Sequence, residues 1–232
     1  MVHKLSPQGH YYVKALSQAL QGPKAERFQL IRTTLEDYKN HVPITNCAQR
    51  LGLPPGTVPE LDEAPPWLIV YPWVKQSIKQ NIEHKNRETL HENQRDGLNL
   101  DAWQGGASYP LADEAKLESE ARKLECLLSS VESQGYRPEH YKDGGIGATL
   151  MVNESGERVW YVSGGFHRVC VLTALGHSSI PASVSRIVKR DHVNRWPLVR
   201  TGLFSKKAAL DLFDQIFEGK GFTAHNDWMM KG

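Results

Sequence analysis

The sequence has few cysteines, little net charge and no long apolar run. Its 232 residues include only three cysteines, Cys47, Cys126 and Cys170. They are an odd number at wide spacing, and no CxxC pair is present, so neither a disulfide framework nor a zinc motif of the usual spacing is indicated. We expect reduced thiols in a cytoplasmic protein.

The sequence contains no apolar stretch of the length that a membrane-spanning helix needs. No stretch approaches eighteen apolar residues, and the first residues, MVHKLSPQGH, carry no apolar signal-peptide core. We therefore expect no membrane partner. The formal net charge is only +2, so bulk charge does not indicate a nucleic-acid binder, and only a local basic patch stays open.

The N-terminal third has helical spacing of apolar residues. Residues 8–38 predict two helices separated at Gly22-Pro23, and residues 44–56 predict a short helix before a proline-rich connection. Residues 75–98 predict a highly charged helix on which His84, Glu88 and His91 can share one face. The charged surroundings favour a solvated helix over a metal site, and we predict no bound metal there.

The rest of the chain alternates strong helix and strand signals. Residues 103–136 contain an amphipathic helix that ends at Gly135, and a final helix begins at the cap Ser205. The β-rich runs 145–153 and 157–164 are joined by Glu154-Ser155-Gly156 and predict a hairpin, and residues 180–190 predict a further strand.

One stretch of the sequence changes in its middle from a strand-like to a helix-like pattern. Residues 160–175, WYVSGGFHRVCVLTAL, begin as a strand, pass through Gly164 and Gly165, and continue as a helix. Free backbone N–H groups and the macrodipole at such a helix start attract anions, and Arg168 adds a guanidinium suited to phosphate. Alternatively, the glycines serve only a tight turn, and His167 caps it.

This stretch also resembles a known family. The helix, the hairpin and SGGFHRVCVLTALGHSSIPA over residues 105–190 are similar to the ParB/sulfiredoxin superfamily, and the flanks extend the likeness over residues 67–219 to largely uncharacterised bacterial ParB-like proteins. The resemblance implies an α+β fold with a small mixed sheet and packed helices. It divides the chain into a helical N-terminal extension (1–66), a ParB/sulfiredoxin-like core (67–200) and a C-terminal helix and tail (201–232). It also implies that nucleotide phosphates bind at Ser163, Gly164, Gly165, His167 and Arg168.

Two departures from the family's pattern argue against particular family activities in this chain. Sulfiredoxin has a catalytic cysteine directly before His-Arg, where this chain has Phe166, so reduction of sulfinic acids is disfavoured. Partition proteins have a Gly-Glu-Arg-Arg type of turn and a long helical DNA-binding segment after this domain. Only about forty residues follow Arg190 here, so DNA partition is disfavoured too.

Two functions stay open. The first is a kinase that transfers phosphate from ATP or another nucleotide, with Mg²⁺, to a small-molecule acceptor. The candidate carboxylates are Glu118, Glu120 and Asp143, although a surface charge is the ordinary role of the two glutamates, and Lys116 is a candidate cation. The second is a non-catalytic regulator that binds a nucleotide or, less favoured, DNA. For this regulator we expect contacts with nucleic-acid phosphates at Arg186, Lys189 and Arg190. We expect the protein to be a monomer or weak dimer.

Overall fold

The structure is a computed structural model that describes residues 10–105, 113–138, 145–220 and 223–230. Its three strands are β1 (Ile146–Val152), β2 (Arg158–Gly164) and β3 (Ala182–Lys189). The two short 3₁₀ segments are Lys24–Glu26 and Arg190–Arg195. The α-helices are α1 (Tyr11–Gln21), α2 (Arg27–His41), α3 (Cys47–Arg50), α4 (Pro59–Asp62), α5 (Ile78–Arg95), α6 (Ala102–Gly105), α7 (Glu114–Gln134), α8 (Phe166–Ala174), α9 (Pro197–Arg200), α10 (Lys206–Phe217) and α11 (Thr223–Met230).

Local sequence signals account for the longer helices. The break between α1 and α2 lies at Gly22-Pro23 as predicted, and α10 begins at the Ser205 cap, whose side chain accepts from the Ala208 N–H. The charged helix α5 begins with a capping box of Ser77 and Gln80, which satisfies two N–H groups that would otherwise lack partners. These predicted helices are confirmed.

The sheet is mixed. Its strand order is β2-β1-β3, with β1 antiparallel to β2 through the predicted hairpin and parallel to β3. Both pairings shift register beside Ala148. The hydroxyls of Ser163 and Ser185, one from each outer strand, lie 3.0 Å apart there, and Ser185 donates to the Ala148 carbonyl at 3.1 Å. The expected α+β class with a small mixed sheet and packed helices is confirmed.

The chain divides into two compact units, and each is built from two separate segments. The first unit combines residues 1–38 with 120–190, and the second combines residues 39–119 with 191–232. The N-terminal helix α1 therefore belongs to the same unit as the sheet and α8. The domain boundaries predicted after residues 66 and 200 stay a prediction. Within the described residues, no helix is both long and apolar enough to cross a membrane.

Each unit has its own core. In the first unit, the fully buried core residues include Leu16 of α1, Leu124 of α7, Met151 of β1 and Cys170 of α8. In the second unit, the buried side chains include aromatic ones that contact each other edge-on or stacked: Trp73, Trp196 and Phe213. The candidate phosphate turn lies wholly in the first unit.

Candidate functional site

The β2–α8 turn ends in a glycine that opens the helix. Gly165 is the N-cap residue of α8, with φ +72° and ψ 32°, and it provides no side-chain hydrogen bond to the first turn. In contrast, α1, α5 and α10 are each capped by the side chain of the residue before them. The start of α8 therefore combines the positive end of a helix dipole with a cap that leaves its first N–H groups to other acceptors.

Arg168 lies against this turn. Its side chain is buried, with the residue only 5% exposed. A Cβ atom on Gly165 would fall 2.9 Å from the Arg168 Nη2 and 3.0 Å from its Nε. The guanidinium is therefore packed over the glycine, and the close approach as well as the positive φ requires a residue without a side chain. The structure thus brings the predicted pair Gly165 and Arg168 together.

A buried carboxylate lies beside the turn. Glu120 of α7 is fully buried. Its Oε2 accepts a hydrogen bond from the Tyr12 hydroxyl at 3.0 Å and lies 2.7 Å from the His167 Nε2, while its Oε1 accepts from the Lys123 Nζ at 2.9 Å. We call these four residues the Glu120 cluster. It joins α1, α7 and α8 at the first turn of α8.

The contacts of the Glu120 cluster determine which of its groups donate hydrogen bonds to the carboxylate. Burial, followed by the negative charge of Glu120, raises the pKa of Tyr12 well above its usual value, so the phenol stays protonated and donates. The His167 Nε2 faces the carboxylate, so the tautomer that carries a proton on Nε2 donates to Glu120. The Tyr12 and His167 rings also stack, with centroids 5.2 Å apart.

Aromatic rings cover the other side of the turn. Phe166, the first residue of α8, contacts the His10 ring edge-on at 4.4 Å and the Tyr12 ring at 6.4 Å between centroids. His10 caps α1, because its Nδ1 accepts from the Tyr12 N–H at 3.1 Å. Phe166 is thus part of an aromatic cluster with His10 and Tyr12.

The three predicted catalytic carboxylates differ in placement. Glu120 is brought to His167, and its alternative interpretation as a surface charge is wrong, because the side chain is fully buried. Glu118 is half-buried on the same helix, and Asp143 lies outside the described residues.

The candidate cation Lys116 is buried in the second unit. Its Nζ donates to the Asn93 Oδ1 at 3.0 Å and lies 3.6 Å from carboxylate oxygens of Glu92 and Asp96.

Sequence reasoning missed several neighbours of the site. Nothing in the local sequence connects Tyr12 to Glu120, which is 108 residues away. Lys123 follows Glu120 by three residues on α7, and this spacing was a usable signal. Ser185 was not singled out, although it contacts the exposed Ser163, the predicted binding residue just before Gly164.

The predicted nucleic-acid contacts do not form one surface. Arg186 pairs in register with Thr149 and Lys189 with Val152. Since these β1 residues are three apart, Arg186 and Lys189 lie on opposite faces of the sheet. Arg190 follows the strand and makes an ion pair with Glu154, with 2.6 Å between Nη1 and Oε1.

Comparison with known proteins gives no relative: no family model, no curated protein and no solved structure matches the chain.

Proposed function

We propose that this protein binds the phosphates of a nucleotide at the β2–α8 turn and transfers a phosphoryl group to a small-molecule acceptor. The observation that carries the proposal is the hydrogen bond between His167 and the buried Glu120 at the start of α8. It holds an imidazole beside a glycine-capped helix N-terminus and a guanidinium, which is a donor set suited to phosphate.

The residues of the turn fit a nucleotide phosphate. The first N–H groups of α8 supply fixed partial positive charge, and the Arg168 guanidinium at Gly165 adds a full charge. The His167 imidazole adds a further hydrogen-bonding group beside the start of the helix. Such binding is mostly electrostatic and requires no covalent step. It agrees with the resemblance of the turn to the ParB/sulfiredoxin superfamily, which itself stays part of the proposal.

For phosphoryl transfer, the geometry favours a positioning role for Glu120. Both of its oxygens face donors from Tyr12, His167 and Lys123, so it is well placed to orient His167. Asp143 stays the sequence-based candidate for the carboxylate that assists Mg²⁺. In the transfer, the oxygen of the acceptor hydroxyl forms a bond to the γ-phosphorus of ATP, the bond to the ADP oxygen breaks, and the hydroxyl proton passes to a base.

Calorimetric titration with ATP, ADP and CTP tests the binding step. We expect saturable binding of at least one nucleotide, and about a tenfold weaker affinity for His167→Ala, the loss typical of one hydrogen bond to a charged group. His177→Ala is the matched control, because His177 is exposed just beyond the other end of α8. Tyr12→Phe is a second control, since it removes one hydrogen bond of the Glu120 cluster and keeps His167.

The outcomes separate the two parts of the proposal. Equal affinities for the wild type and His167→Ala, or no binding of any of the three nucleotides, would overturn the phosphate site. Nucleotide binding without transfer of γ-³²P from ATP to pooled amino acids or sugars would leave a non-catalytic nucleotide-binding protein and refute the kinase. The favoured result is transfer that Asp143→Asn abolishes and His177→Ala does not.

A further inference from the structure

One face of the sheet exposes apolar and basic side chains in two adjacent rows. In the sheet register, Leu150 of the central strand lies opposite Trp160 on one side and Ile187 on the other. Two residues further along, Val152 lies opposite Arg158 and Lys189. Residues in register point to the same face. We call this face, defined by the following residues, the open face: Leu150, Val152, Arg158, Trp160, Ile187 and Lys189.

The two faces differ in burial at the centre of the sheet. Met151 and Val188, a pair in register on the opposite face, are 0% and 3% exposed. On the open face, Ile187 is 59% exposed and Trp160 is only half-buried. An edge strand with a large exposed apolar residue is a liability that folded proteins usually avoid, unless the surface serves binding.

The charges of the open face indicate the kind of partner. Arg158 and Lys189 are both exposed and flank Val152, and none of the six residues of the face is acidic. Of the two acids in the hairpin loop, Glu154 pairs with Arg190, and Glu157 accepts hydrogen bonds from Asn153 and Ser155. A row of positive charge beside an apolar row that contains an indole suits a partner that is anionic and aromatic.

We propose that the open face binds single-stranded nucleic acid. Bases stack on Trp160 and contact Leu150 and Ile187, while phosphates lie along Arg158 and Lys189. Successive rows on one face are about 7 Å apart along the strands, so a base on the apolar row leaves its phosphate within reach of the basic row. Sheets that present an aromatic side chain and flanking basic groups bind single strands in this manner. This surface uses none of the residues of the β2–α8 turn.

Fluorescence anisotropy with labelled oligo(U) and oligo(dT) tests the proposal. We expect binding that weakens as salt is raised from about 50 to 200 mM. Replacing Trp160 by Leu keeps an apolar side chain in a half-buried position but removes the stacking ring, and we expect about a tenfold loss of affinity. Trp160→Phe retains most of the affinity. The matched control is Trp103→Leu, because Trp103 is a 58% exposed indole on α6 of the other unit.

The basic row is tested separately. Lys189→Ala lowers the slope of log affinity against log salt by about 0.7, the value for one phosphate on a single strand. His167→Ala leaves oligonucleotide binding unchanged, so failure of the proposed nucleotide site does not affect this result. The proposal is overturned if wild-type protein shows no saturable anisotropy change at about 50 mM salt, or if Trp160→Leu and Trp103→Leu bind alike. It is also overturned if sedimentation shows a dimer that Ile187→Ser dissociates, because the face is then a self-association surface.

Discussion

Glu120 determines how the turn residues are held. A fully buried carboxylate is unfavourable unless donors surround it, and here a phenol, an amine and an imidazole do so. The imidazole belongs to the helix that begins at the candidate phosphate site. A side chain on α7 therefore sets the orientation of a side chain on α8.

Replacing this carboxylate by an amide tests its role at the residue scale. Glu120→Gln removes the charge that Lys123 pairs with and places an NH₂ group opposite one of the present donors. We expect a loss of about 1–3 kcal/mol in the free energy of unfolding, measured by urea denaturation. Glu118→Gln, at a half-buried position on the same helix, is the comparison and costs less. Equal losses for the two variants would contradict the importance of the cluster.

The cysteines give a second test at this scale. Cys47 and Cys170 are buried, and burial raises the pKa of the Cys170 thiol and raises that of Cys47 to about 11. Cys126 is exposed, although partial burial and the neighbouring Glu125 raise its pKa too. Since the thiolate reacts, titration with an aromatic disulfide reagent should modify Cys126 in the native protein and the other two only after unfolding. Modification of Cys170 in native protein would contradict the packing of α8.

The turn into α8 is the element on which the proposed function depends. Its strand, its two glycines and its helix were predicted from residues 160–175, because strand-forming residues, glycine and helical periodicity follow one another there without ambiguity. The left-handed conformation of Gly165 at the helix cap is also one that glycine commonly adopts in turns. The packing of Arg168 over Gly165 was not predictable, since it depends on the side-chain path within a folded turn.

Gly165→Ala tests this element. The added Cβ forces a side chain into the left-handed region and against the Arg168 guanidinium, so we expect a loss of about 2–3 kcal/mol in the free energy of unfolding and weaker nucleotide binding. Gly176→Ala is the matched control just after the same helix, where φ is +79° and no atom lies within 4 Å of the new Cβ. It costs only the backbone strain. Thermal denaturation of both variants makes the comparison, and equal losses would argue against the contact with Arg168.

At the scale of the whole molecule, contacts between distant segments build the first unit. Arg27 of α2 forms a bidentate ion pair with Glu132 of α7, which is 105 residues away in the sequence. Helices and strands were predictable because their signals are local. The pairing of residues 1–38 with 120–190 was not, because no local pattern records which segments meet. For the same reason, the sequence offered Glu120 and His167 as separate candidates and could not join them.

The Arg27–Glu132 pair predicts how global stability depends on pH. The hydrogen bond from Arg27 lowers the pKa of Glu132 below its ordinary value of 4.5. The folded pKa is then the lower one, so the stabilisation is fully present above about pH 4.5 and is lost as the pH falls through the folded pKa. We expect Glu132→Gln to cost about 1–3 kcal/mol at neutral pH and to lose less stability on acidification than the wild type. Parallel stability curves for the two proteins between pH 6 and pH 3 would refute this.

The phosphate site at the β2–α8 turn is tested by titrating ¹⁵N-labelled protein with ATP and following the backbone amide resonances. We expect saturable shifts that are largest at the cap residue Gly165 and at Phe166 and His167, and that need about tenfold more ATP in His167→Ala but not in His177→Ala. Shifts confined to other parts of the chain, or none at these three amides, would contradict the phosphate site at the β2–α8 turn.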